Sequence, residues 1–179
     1  MNRTGTGKNR IAIFLFICYA LIVLLITQYR QGMVYFPDFS STRFDINLVP
    51  FLKFKEALMH IRTNGLPGGA EASTRQVLIY IAKIAYGFFA NIIMFIPLGI
   101  FLPLLFKKLD NLAKITFVGF LFSLAIELSQ LVVMMLFYAS QRVFDIDDLI
   151  ANTLGAIIGY IIFAFFSLLF KPQRKLVHA

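Results

Sequence analysis

The sequence predicts an all-α, polytopic membrane helical bundle with four transmembrane helices and one or two interfacial amphipathic helices in the first extracytoplasmic loop. Three observations carry this prediction. Of 179 residues, 59% are apolar and 15% charged, against roughly 45–50% and about 25% in an ordinary soluble domain. Phe alone supplies 21 residues and Trp none, which is more apolar surface than one small soluble core can hide. The charged residues punctuate four apolar runs of about twenty residues, the length that a hydrocarbon core of about 30 Å demands. Because the basic residues lie between these runs and form no basic face, the net charge of +8 reads as helix orientation and excludes a nucleic-acid partner. The runs are apolar on every face, unlike the alternating segments of a β-barrel.

The first run covers residues 11–27, led by Lys8 and Arg10. Its end, Thr27-Gln28-Tyr29-Arg30, has no small-residue cleavage pattern, so it reads as a retained helix and not a signal peptide. The other spans fall at about 88–106, 115–138 and 149–170. A basic tail, 1–10, precedes this single membrane domain, 11–170, and a second basic tail, 171–179, follows it. The lone cysteine, Cys18, lies within an apolar run, which excludes a disulfide framework and a thiolate metal site.

Lys and Arg counts set the expected orientation, because short basic loops stay in the cytoplasm. Three segments carry three basic residues each: Arg3, Lys8 and Arg10; Lys107, Lys108 and Lys114; Lys171, Arg174 and Lys175. Four spans put all three on one side, with both termini cytoplasmic. The first connection carries seven basic residues, but long loops translocate largely regardless of charge. Within it, Phe51, Phe54, Leu58 and Ile61 recur at helical spacing among Lys53, Lys55, Glu56 and Arg62, as an amphipathic helix requires. Leu66-Pro67-Gly68-Gly69 breaks that helix. A second stretch from Ser73, with Val77, Ile81, Ile84 and Phe88 on one face, reads either as an interfacial helix, which Lys83 favours, or as the start of the second span.

Polar residues inside spans are costly and therefore informative. Glu127 lies about halfway along the third span, with Ser123 one turn before it and Gln130 nearly one turn after it on the same face. At the start of the fourth span, after Arg142, the residues Asp145, Asp148, Asn152, Gly155 and Gly159 are spaced from one another at intervals of 3, 4, 3 and 4, forming one stripe. Asp147 reads equally well as a helix-capping and dipole partner. The pair Gly155 and Gly159 makes a GxxxG that permits a close helix crossing. In the second span Asn91 precedes Pro97, Gly99 and Pro103, where a kink or local unwinding is expected. Asn91, Glu127, Gln130, Arg142, Asp145, Asp148 and Asn152 are expected to converge on one polar pocket open to the extracytoplasmic side.

These same residues carry a resemblance. The strings Asn47-Leu-Val-Pro50-Phe51, Asn91-Ile-Ile-Met-Phe95-Ile-Pro97-Leu-Gly99, Glu127-Leu-Ser-Gln130 and Arg142-Val-Phe-Asp145-Ile-Asp-Asp148-Leu-Ile-Ala-Asn152-Thr-Leu-Gly155-Ala-Ile-Ile-Gly159 are similar to those of the VanZ family of bacterial membrane proteins, over roughly residues 11–170. The resemblance implies a small multipass protein of the bacterial cytoplasmic membrane. It also implies reduced susceptibility to teicoplanin-type glycopeptides without remodelling of the peptidoglycan precursor.

Three functions fit the polar residues. The first is binding at the outer leaflet, changing how a lipoglycopeptide or lipid-linked wall precursor is presented. The second is an enzyme acting on a lipid head group or diphosphate-bearing carrier. There Asp145 and Asp148 could hold a divalent cation such as Mg²⁺, Arg142 could bind phosphate and Glu127 could act as general acid or base. No complete phosphoryl-transfer motif accompanies them, and no cofactor is evident. The third is transport with Glu127 as a proton or cation relay. An internal Arg142–Asp145–Asp148 pairing would need no ligand at all.

Overall fold

The protein, described by a computed structural model over residues 3–29, 46–64, 74–137 and 144–170, is a bundle of long helices. In chain order these are α1 (Arg3–Tyr29), β1 (Ile46–Asn47), α2 (Leu52–Asn64), α3 (Thr74–Leu105), α4 (Leu112–Phe137), β2 (Phe144–Asp145) and α5 (Ile146–Leu169). Four helices are long and apolar enough to span a membrane, at Arg10–Thr27, Ala85–Leu105, Leu112–Val132 and Ile146–Leu169. Helix α1 starts at Arg3, so residues 3–10 are helical and lead into the apolar span. The C-terminal tail, 171–179, lies outside the described residues.

Helices α3 and α5 run parallel and form the tightest contact in the bundle. Gly155 rests on the Ile92 carbonyl, Gly159 on the Ile96 carbonyl and Gly99 on the Ala156 carbonyl. A Cβ at Gly99 or Gly159 would sit 2.0 Å from the facing carbonyl oxygen, and one at Gly155 2.2 Å from it. Small residues thus let two backbones touch, which is how membrane helices associate where burial from water supplies no drive. Gly119 brings α4 against the Ala156 side chain in the same way. Phe95, Leu98, Leu102, Ile115, Ile126 and Val23 form the apolar core between α1, α3 and α4. Helix α1 is the most exposed of the four spans; the Tyr19 hydroxyl anchors it by donating to the Met94 carbonyl at 2.9 Å.

The helix of α3 continues through Pro97 and Pro103, so the local unwinding expected there does not occur. A proline removes one intrahelical donor, and packing against neighbouring helices holds the register across the gap. From Thr74 onward the second stretch forms the first turns of α3, leaving α2 as the separate described helix of the first connection. Phe51 and Phe54 pack on Phe88 of α3 with ring centroids 5.9 and 6.3 Å away, while Leu58 and Met59 on α2 stay exposed. The turn between α3 and α4 is capped by Asn111, whose side chain accepts from the Lys114 N–H at 3.0 Å. Lys114 also bonds the Asp110 carboxylate at 2.7 Å, which holds that carboxyl below its usual range.

Candidate functional site

Helix α5 begins where its capping residue meets a second helix. Asp145 adopts an extended backbone, and its side chain accepts from the Asp147 N–H, satisfying one of the orphan donors of the first turn. The Asp145 N–H in turn donates to Glu127 Oε2 at 3.1 Å. Glu127 stands ten residues before the end of α4, about 15 Å along its axis. The start of α5 is therefore level with Glu127, well below the end of α4, and non-helical backbone reaches into the apolar span of that helix.

Such backbone is tolerated at membrane depth only when protein satisfies it. Here the first connection does so. Asn47 pairs with Asp145, and Ile46 with Phe144, as a parallel two-stranded ladder. The Asn47 side chain donates to Asp145 Oδ1 at 3.0 Å, and its own oxygen accepts from the Val49 N–H at 3.2 Å, turning the chain toward Pro50. Phe51 then takes a left-handed conformation, φ 58°, uncommon for a bulky residue. Its N–H donates to Asp147 Oδ1 at 2.7 Å, so a carboxylate on α5 fixes the strained position. Glu127, Asp145, Asp147 and Asn47 are all at least nine-tenths buried. Charges this deep persist only where donors meet them; backbone N–H groups and the positive end of α5 supply those donors.

The other expected residues take distinct places. Asn152 and Ser123 are buried between α5 and α4, the amide donating to the Ser123 hydroxyl oxygen at 2.9 Å. The Asn152 Oδ1 atom has no hydrogen-bond partner among the described residues. Gln130 is half-buried and donates to the Thr27 carbonyl at 3.1 Å, closing the end of α1 onto α4. Asp148 is half-buried on the first turn of α5. Asn91 is buried in the wall that α3 turns toward α1. Pro97 lies in the same wall, whereas Gly99, Gly155 and Gly159 form the α3–α5 contact. Arg142 lies outside the described residues.

Sequence reasoning left Asn47, Phe51, Thr27 and Asp147 out of the candidate pocket, Asp147 because it read equally well as a capping residue. The Asn–x–x–Pro–Phe string carried a turn signal, but nothing in it marks a partner 98 residues away. No group of three or more His, Cys, Asp or Glu among the described residues is arranged to hold a metal ion. Chemically, the end of the bundle is a rigid polar platform in which carboxylates hold backbone, and Asp148 and Gln130 reach its surface.

Two apolar hollows flank α1. One, of about 220 Å³, lies between α1, α3 and α4. The other, of about 530 Å³, runs between α1 and α3. Tyr19 and Val23 line both. A family model described as VanZ/LLP1 matches residues 14–167. No curated protein and no solved structure gives a match.

Proposed function

The chain belongs to the VanZ/LLP1 family, and from that premise we propose that it lowers susceptibility to teicoplanin-type glycopeptides by binding a lipid-anchored ligand at the outer face of the bacterial cytoplasmic membrane. The ligand is the antibiotic itself or a lipid-linked wall precursor, and both termini of the protein lie inside. The observation that carries this reading is the joining of Asn47, Glu127, Asp145 and Asp147 into one buried network at a single end of the bundle. Three buried carboxylates are costly, and here they hold the first connection in a fixed shape. Asp148 and Gln130, both half-buried, present polar groups beside that shape. The three short basic segments support the assignment of this end to the outside.

The test is glycopeptide susceptibility of a sensitive Gram-positive host carrying wild type, Glu127→Gln, or Asp145→Asn with Asp148→Asn, with membrane levels matched. Wild type is expected to raise the inhibitory concentration several-fold, and the charge-neutral variants are expected to lose most of that protection while remaining in the membrane. Unchanged susceptibility with wild type overturns the reading. Full protection by both variants removes the carboxylates from it.

A further inference from the structure

The turn that joins α3 to α4 is a rigid cationic corner at the edge of the apolar spans. The Phe106 carbonyl accepts from the Leu109 N–H at 2.8 Å, so residues 106–109 form a β-turn whose two central residues are Lys107 and Lys108. Two side chains from the helices fix it. The Lys114 ammonium donates to the Lys108 carbonyl at 2.9 Å and to the Asp110 carboxylate at 2.7 Å, and the Tyr160 hydroxyl donates to the Asp110 carbonyl at 2.8 Å. Asp110 is the one acid at this end among the described residues, and Lys114 takes it. Lys107 and Lys108 are both exposed, so two neighbouring ammonium groups stand with no described acid to pair them, and they repel one another unless an anion joins them.

The height of the turn specifies the anion. One apolar span ends at Leu105 and the next begins at Leu112, so the two lysines follow directly on the apolar segment, at the level where a bilayer carries its head groups. Leu104, Phe106 and Leu112 are exposed beside them, which puts hydrocarbon directly below the charges. Arg10 is exposed at the same end: α1 runs antiparallel to α3, with Tyr19 on Met94 and Phe16 on Phe101, and Arg10 precedes Phe16 by as many residues as Lys107 follows Phe101. We propose that Lys107 and Lys108 bind the phosphate of an anionic membrane lipid whose chains lie against Leu104 and Phe106. This site is at the opposite end of the bundle from Glu127 and does not depend on the glycopeptide reading.

The test uses the purified full-length protein in phosphatidylcholine vesicles and a single tryptophan, since the chain has none. Phe106→Trp, at an exposed position beside the lysines, is the reporter, and Phe89→Trp, exposed on α3 about 25 Å away, is the control. Quenching by brominated phosphatidylglycerol and by brominated phosphatidylcholine gives the relative affinity of the two lipids at each position. At position 106 the anionic lipid is expected to be preferred about five-fold, the factor that one lysine near a charged surface contributes. Lys107→Gln combined with Lys108→Gln is expected to abolish most of that preference and to leave the ratio at position 89 unchanged. Both lysines are exposed, and the double variant keeps the Lys108 backbone carbonyl that Lys114 holds, so the turn retains its bonds. Inorganic phosphate added at constant ionic strength is expected to leave the preference in place. Equal quenching by the two lipids at position 106, a preference that survives the double substitution, an equal fall at position 89, or displacement by inorganic phosphate overturns the proposal. These outcomes leave the glycopeptide susceptibility of the host untouched, so the two readings fail separately.

Discussion

Gly159→Ala or Gly155→Ala is expected to strip most of the folded protein from the membrane. Each substitution places a methyl group about 2 Å from a backbone carbonyl oxygen of α3, at Ile96 for residue 159 and Ile92 for residue 155. No side chain can rotate away to relieve that contact, so α3 and α5 must separate. Overpacking in a core costs about 1–3 kcal/mol where side chains can give; with backbone on both sides the upper end, about 3 kcal/mol, is expected for each glycine. Separation also withdraws α5 from Phe95, whose Cβ would lie 2.8 Å from a methyl at position 155. The measurement is thermal stability of a fluorescent fusion in detergent, read as the surviving monodisperse peak after heating. Ile161→Ala, at an exposed position on α5, is the control and is expected to leave the profile unchanged. Equal stability of the glycine variants and the control would remove the close crossing from the account.

Asp145→Ala and Asp145→Asn are expected to part company. Alanine deletes the N-cap of α5, worth about 1 kcal/mol, and leaves the buried Asn47 amide without its acceptor, a further cost of about 1–3 kcal/mol. Asparagine caps a helix as well as aspartate does and keeps an oxygen for both the Asn47 amide and the Asp147 N–H. The alanine variant should therefore lose about 2–4 kcal/mol and expose the amides of residues 46–51 to hydrogen exchange, whereas the asparagine variant should keep them protected. The Phe51 amide is the most sensitive reporter, because its left-handed conformation is held by Asp147. Matching exchange in the two variants would show that the Asp145 side chain does not organise this segment.

The fold was legible because bilayer thickness leaves so few solutions. Four apolar runs of the right length admit only helices or a barrel, and uniform apolarity removed the barrel. The stripe that joins Gly155 and Gly159 was also readable, since helical periodicity alone puts them on one face. The wiring of the polar residues was not. Glu127 announced itself by its cost, yet one partner that meets it is the backbone N–H of Asp145, and no side-chain pattern encodes that. Asp147, whose neighbours suggested a simple cap, holds a residue 96 positions earlier in the chain. Asn47 lies in a stretch whose periodicity is too short to assign, two residues of strand before a turn. Local sequence shows where a polar group is expensive; tertiary packing decides which donor meets it. At the two prolines of α3, where a kink or local unwinding was expected, the helix runs through without unwinding.

The central claim is that the first connection dips into the bundle and pairs with the start of α5 at the depth of Glu127. Its most direct test is a disulfide across the ladder. Residues on adjacent strands lie about 4.8 Å apart, within the span of about 4.4–6.8 Å that a disulfide accepts. In a Cys18→Ala background, which removes the one native thiol, Ile46→Cys is combined with Phe144→Cys, the residues that face each other in the parallel register. Mild oxidation of membranes is expected to consume both thiols in an intramolecular bond, found by mass spectrometry, while Ile46→Cys with Phe117→Cys stays unlinked. Free thiols at 46 and 144 under the same oxidation, in protein that is folded and present at normal levels, would contradict the claim.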